Sequence, residues 1–216
     1  MIKLCIFDLD GTVLDTVGTI AYYGNLALSQ HGVESIPVKE YNYLAGKGAA
    51  NLVRGMLEFR GVYSDELYEK VFLDYNTAYN ADVSYGTTVF DGLREVLDDI
   101  KSRGIRLAIV SNKPHFAAQT VINKLLGEGY FDFVTGQIPG VALKPDPTAV
   151  LDVMERFAVT REECLYVGDT GVDMQTGKRA GMRTVGVLWG FRGREELMRD
   201  GADVLISQPM ELLECL

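Results

Sequence analysis

The sequence predicts an α/β protein, an open, doubly wound parallel-sheet core with an all-helical cap inserted after its first strand. Three observations predict it. Short apolar runs at Ile2 to Phe7, Ile105 to Val110, Cys164 to Val167 and Thr184 to Leu188 read as strands buried on both faces. Helical patterns separate the later runs, so strand and helix alternate as in parallel sheets. The alternation fails once, from about Thr16 to Tyr85, where only helical patterns occur. The core is therefore expected at 1–15 and 86–216 and the cap at 16–85.

A chain of 216 residues can hold one good core and a small second module. With 47% apolar and 24% charged residues it has the composition of a globular protein. A net charge of -9 without a basic stretch argues against nucleic acid as a partner, but leaves small anionic ligands open. No run of 18 or more apolar residues and no signal-peptide pattern occurs, so the expectation is a cytoplasmic protein with no membrane partner, a monomer or homodimer. Cys5, Cys164 and Cys215 form no CxxC pair, and His31 and His115 are isolated, so neither a catalytic thiol nor a zinc site is indicated.

The first strand ends in Asp8-Leu9-Asp10-Gly11-Thr12, which delivers two carboxylates at the strand's carboxyl end, where open α/β sheets place their chemistry. The same residues suit a plain strand-to-turn cap. In the insertion, Ile20, Tyr23, Ala27 and Leu28 recur at helical spacing, with further helices at Val38 to Leu44, Ala49 to Phe59 and Asp65 to Tyr79. Placed directly after two carboxylates, this insertion reads as a lid that excludes water. It is expected to hinge near Asp15-Thr16 and Tyr85-Gly86. Between two of its helices, Gly46-Lys47-Gly48 could bring backbone N–H groups and an ammonium to an anion, or could be a helix-to-helix turn with an exposed lysine. Arg54 reads as a solvated helix residue.

After a helix from Asp91 to Arg103, the strand from Ile105 leads into Ser111-Asn112-Lys113-Pro114. Ser111 and Asn112 could donate to a phosphate oxygen, or Ser111 could only cap the next helix. A short strand from Phe131 to Thr135 precedes Lys144-Pro145-Asp146-Pro147, whose prolines stiffen the loop and start a helix at Thr148, so Lys144 reads as a fixed charge. Asp169 and Asp173 follow the strand ending at Val167. If these strand ends adjoin, four carboxylates converge and would repel one another unless a cation or protons neutralise them. Mg²⁺ is the economical solution. A helix at Arg194 to Arg199, a strand at Val204 to Ile206 and a short helix from Met210 close the chain.

With these motifs in this order, the chain resembles the haloacid dehalogenase-like superfamily of phosphohydrolases, which have a Rossmann-like core, over essentially its whole length. Asp8 and Asp10 match the first motif, Ser111 the second, Lys144 the third, and Asp169 with Asp173 the fourth. Within the superfamily, Ser111-Asn112-Lys113-Pro114, Lys144-Pro145-Asp146-Pro147, Gly168-Asp169-Thr170, Trp189-Gly190 and Gly46-Lys47-Gly48 look like those of phosphoglycolate phosphatases.

The resemblance implies Mg²⁺-dependent hydrolysis of a small phosphorylated metabolite, with Asp8 as nucleophile and Asp10 as general acid and base. It gives Lys144 the neutralising charge, and Leu9, Ser111 and Asn112 the phosphoryl oxygens. Mg²⁺ would be held by Asp8, Asp10 and Asp169, with Asp173 bound directly or through water. Gly46, Lys47 and Gly48 of the cap would set specificity, with Lys47 facing the substrate's far end, a carboxylate in 2-phosphoglycolate. An acid at position 10 has no task in a dehalogenase or a phosphonoacetaldehyde hydrolase. An inorganic pyrophosphatase, a sugar-phosphate phosphatase and a Mg²⁺-dependent phosphate-binding regulator are the other readings.

Overall fold

A computed structural model describes residues 1–216. Its six-stranded parallel sheet contains β1 (Leu4–Phe7), β4 (Arg106–Pro114), β5 (Phe133–Gln137), β6 (Cys164–Gly168), β7 (Arg183–Val187) and β8 (Val204–Ile206), in the spatial order β5-β4-β1-β6-β7-β8. The chain leaves β1 toward β4 and β5, then returns past it to β6, so the sheet's switch point adjoins β1. In register, Phe7 pairs with Ile109 on one side and Val167 on the other. Asp8 and Asp169, which follow β1 and β6, and the Val110–Pro114 end of β4 are thereby brought together at the carboxyl end of the sheet.

Every side chain of β1 is fully buried. Cys5 and Phe7 join the apolar cluster on one face, with Val96 and Leu97 of α5 (Leu93–Ser102) and Val121 and Ile122 of α6 (His115–Leu125). Leu4 and Ile6 point to the other face, onto Val150 and Val153 of α7 (Thr148–Phe157). Burying each of these large side chains contributes roughly 1.5–3 kcal/mol, which fixes the strand that carries Asp8. Two further helices, α8 (Gly171–Arg179) and α9 (Arg194–Arg199), follow β6 and β7. The chain ends in a 3₁₀ turn at Pro209–Cys215.

The insertion is helical throughout: α1 (Val17–Gln30), α2 (Val38–Leu44), α3 (Ala49–Phe59) and α4 (Asp65–Ala81). Ser64 caps α4 by accepting the Leu67 N–H, ahead of the buried stripe Val71, Tyr75 and Tyr79. The two crossings between core and insertion are joined by a feature the sequence reading lacked. Leu14–Asp15 (β2) and Thr88–Val89 (β3) pair antiparallel. Beside them the Thr19 hydroxyl donates to the Tyr85 carbonyl at 2.6 Å, and the Tyr23 hydroxyl to that of Asp82 at 2.9 Å. No helix is long and apolar enough to cross a membrane.

One local expectation is overturned. Ser111 does not cap a helix, because β4 continues through Pro114, with Pro114 in register with Gln137, and α6 begins only at His115. Pairing with β5 brackets an irregular stretch here, Val110 opposite Thr135 and Pro114 opposite Gln137, and Ser111, Asn112 and Lys113 bulge between them.

Candidate active site

Asp8, Asp169 and Asp173 are buried, and their carboxylates offer oxygens within 4.8 Å of one another. Each is oriented by the segment that delivers it. Asp169 accepts the Thr12 hydroxyl at 2.9 Å and the Phe191 N–H at 2.7 Å. Asp173 forms a capping box with Thr170 at the start of α8, accepting that residue's N–H and hydroxyl on one oxygen. Its other oxygen accepts the Lys144 ammonium at 2.7 Å, and the same ammonium donates to Asp8 at 2.7 Å. Lys144 is thus a buried bridge between nucleophile candidate and fourth-motif acid.

Three buried carboxylates facing one buried ammonium leave net negative charge where water cannot screen it. Burial, reinforced by Asp173 and opposed by Lys144, pushes the Asp8 carboxyl up to about 7. Burial and then Asp173 and Asp8 hold Asp169 well above the carboxylate range. Lys144 goes the other way: burial disfavours its charge, but Asp173 and Asp8 outweigh that and raise it well above the lysine range. A cluster of hard oxygen donors with excess negative charge fits a divalent cation such as Mg²⁺. Asp8 has a protein donor on one oxygen only, and Asp169 is met by neutral donors alone, the Thr12 hydroxyl and the Phe191 N–H, whereas Asp173 carries the Lys144 ammonium on one oxygen and two Thr170 donors on the other; Asp8 and Asp169 are therefore the better-placed direct ligands.

Asp10 extends into the cavity under the cap. Its partner is Lys113, whose ammonium lies 2.7 Å from the Asp10 carboxylate and 5.1 Å from the Tyr79 ring centroid. Burial works against the charge on Lys113, but the attraction of Asp10 prevails and raises it. Lys113 was not singled out from sequence. Its signal was its place at the end of β4, two residues after Ser111.

The cavity, of about 50 Å³, is lined by Asp8, Asp10, Ser111, Asn112 and Lys113 from the core and by Gly46, Gly48, Tyr75, Asn76 and Tyr79 from the cap. The Leu9 side chain is buried beneath it, and its carbonyl accepts the N–H groups of Val13 and Leu14 in the turn after Asp10. Asn112 does more than line the wall. Its side chain accepts the Lys144 N–H at 2.9 Å and donates to the Lys144 and Gly46 carbonyls at 3.1 and 3.2 Å, tying the third motif to the cap.

Lys47 departs from the expectation that it faces the substrate. It is exposed and borders a separate cleft with Tyr43, Arg192 and Arg199, so the exposed-lysine reading describes it. The positive φ of Gly46 (103°) and Gly48 (84°) turns the main chain into the cavity while the side chain between them points out. Arg54 is also outside the cavity, with its guanidinium over the Tyr63 ring at 4.6 Å.

The chain as a whole has known counterparts. The sequence description of haloacid dehalogenase-like hydrolases matches residues 2–181. The chain belongs to that family. It is 32% identical over 214 residues to the phosphoglycolate phosphatase of Aquifex aeolicus, covering 98% of this chain and 95% of that one. The phosphoglycolate phosphatase of Xanthomonas campestris is 30% identical over the same length and shares. Among solved structures, a protein from Lactobacillus delbrueckii subsp. bulgaricus assigned as a phosphoglycolate phosphatase superposes with a TM-score of 0.93 at 28% identity, covering 99% of this chain and 97% of its own. The chain is thus a haloacid dehalogenase-like hydrolase, phosphoglycolate phosphatase-like in sequence and fold.

Proposed function

We propose that this hydrolase cleaves phosphate monoesters through an aspartyl-phosphate on Asp8, with 2-phosphoglycolate as its substrate. The observation that carries the reading is the Lys144 bridge. It holds a buried carboxylate beside an ammonium, two residues from a second carboxylate that faces the same covered cavity.

In the first half-reaction an Asp8 oxygen bonds to phosphorus, the ester P–O bond breaks, and Asp10 gives its proton to the departing alkoxide. In the second, Asp10 takes a proton from water. The oxygen attacks phosphorus, the acyl-phosphate bond breaks, and phosphate and the Asp8 carboxylate are regenerated. Ser111 and the main-chain N–H groups near Leu9, Asp10 and Asn112 hold the phosphoryl oxygens; losing one such donor typically costs on the order of 100-fold in rate. Asp8 and Asp169 side chains and the Asp10 carbonyl would hold Mg²⁺, with Asp173 acting through Lys144 and water. The ion supplies positive charge against the phosphoryl oxygens and the nucleophile.

The small cavity favours a compact ester. With Lys47 turned outward, Lys113 is the cation bordering the space beyond Asp10, and Asn76 contributes an amide. Both suit a carboxylate at the far end of the substrate. The names of the Aquifex and Xanthomonas relatives support the same choice.

The test is steady-state phosphate release with Mg²⁺ across 2-phosphoglycolate, pyrophosphate, several sugar phosphates and p-nitrophenyl phosphate, with Asp8→Asn as blank. The expected kcat/KM for 2-phosphoglycolate exceeds the others by at least ~100-fold, about 2.7 kcal/mol of discrimination. A flat profile sinks the substrate and leaves the phosphatase. Phosphate binding without any turnover makes the chain a regulator.

A further inference from the structure

α2 ends at Leu44 with carbonyls that have no partner further along the helix, and no basic residue lies in its last turn. The missing cation comes from the core. Arg192, in the loop between β7 and α9, directs Nη2 to the Ala45 and Tyr43 carbonyls at 3.2 and 3.4 Å. Its guanidinium also lies 5.3 Å from the Tyr43 ring centroid. The residue is only 8% exposed, and its Nη1 is buried without a partner. An arginine in an ordinary surface ion pair keeps its donors wet, whereas this one is sealed against the cap.

The same loop holds Asp169. The Phe191 N–H, one residue away, donates to Asp169, and Trp189 Nε1 donates to the Thr12 carbonyl at 3.1 Å. Arg192 Nε pairs with Glu196 at 3.2 Å, and the other Glu196 oxygen accepts the Gly171 N–H at the start of α8. One short segment therefore grips Asp169 directly, the start of α8 through Glu196, and the helix end that leads into Gly46 and Gly48.

We propose that Arg192 is a positioning residue, a core-borne latch on the C-terminus of α2 that seats the cap's Gly46–Gly48 turn over the catalytic cavity. Its kinetic consequence rests on the hydrolase reading above, but its structural consequence does not. Arg192→Met removes the donors and keeps the apolar stem. Tyr43→Ala removes an exposed ring from the cap side of the same contact and does not threaten folding.

The first readout is backbone hydrogen exchange of the full chain with Mg²⁺ alone. In Arg192→Met the amides of residues 43–50 are expected to exchange at least about fivefold faster than in the unmodified chain, and in Tyr43→Ala, which keeps both carbonyls and loses only the ring beside the guanidinium, by a smaller factor, while those of β1 and α8 stay within about twofold in both. The second is a KM-against-kcat split on whichever ester the unmodified chain hydrolyses. In Arg192→Met, KM is expected to rise on the order of tenfold with kcat held within about threefold, because a less populated closed cap lowers apparent affinity. Unchanged exchange at 43–50 in both variants overturns the latch, as does loosening spread equally over β1 and α8. If the unmodified chain hydrolyses no ester, the proposed function fails and exchange alone decides the latch.

Discussion

Lys113 lies 103 residues from Asp10 in the chain and 2.7 Å from it in space. It has two candidate tasks, holding the acid-base carboxylate and meeting the substrate's own carboxylate, and one variant separates them. A hydrogen bond to a charged group is worth about 1.5–3 kcal/mol, so Lys113→Met is expected to lower kcat/KM for 2-phosphoglycolate by roughly 10- to 100-fold. Hydrolysis of p-nitrophenyl phosphate, which has no carboxylate, is expected to fall less. Equal losses on both esters would confine Lys113 to Asp10, and a loss under threefold on both would remove it from the site altogether. The residues whose placement was legible from sequence, Asp8, Asp10, Lys144, Asp169 and Asp173, sit at strand ends or in a proline-stiffened loop, where local pattern fixes position. Lys113 and Arg192 were not legible in this way because their partners are set by tertiary packing alone. For Lys47 the local pattern left the exposed turn open and the resemblance turned it to the substrate; flanking glycines bring the main chain to the cavity as readily as the side chain.

At the scale of elements, boundaries at α2, α3, α7, α9 and β8 coincide with the sequence expectation, because apolar periodicity and the breakers Pro37, Gly48, Pro147 and Gly193 ahead of the four helices decide them locally. The extension of β4 and the β2–β3 ribbon depend on partners far along the chain, and no local signal announces them. The loop between β7 and α9 likewise shows its purpose only in three dimensions. A Cβ at Gly190 would fall 2.3 Å from both Asp169 Cβ and the Gly11 carbonyl oxygen, so the bare backbone is what lets this loop close on Asp169. Gly190→Ala is expected to cost about 3 kcal/mol, or roughly 6–12 °C in Tm for a chain of this size. Gly193→Ala, three residues on, meets nothing within 4 Å at an ordinary φ of -89° and is expected to change stability by less than about 0.5 kcal/mol. Thermal scans of the two variants check this, and equal Tm values would show that the loop yields freely.

Across the whole molecule, the strand order β4-β1-β6 gathers acids from both ends of the sequence into one buried cluster, so stability becomes linked to whatever neutralises it. Folding without a cation lifts Asp8 from an ordinary value of 3.8 to about 7. Between those values the folded chain binds more protons than the unfolded one. Stability of the metal-free protein therefore falls as pH rises through this window, and the loss is complete above it. Mg²⁺ requires ionised carboxylates and binds the folded state, so its stabilisation should grow over the same range. At 100 times its dissociation constant a ligand contributes about 2.7 kcal/mol, roughly 5–10 °C here. Thermal scans with and without MgCl₂ are expected to show a gain of that size at pH 8 that shrinks toward pH 5, and none in Asp169→Asn at either pH. A gain equal at the two pH values, or one that survives in Asp169→Asn, would place the ion away from this cluster. The convergence of the acids would then be balanced by Lys144 and protons alone.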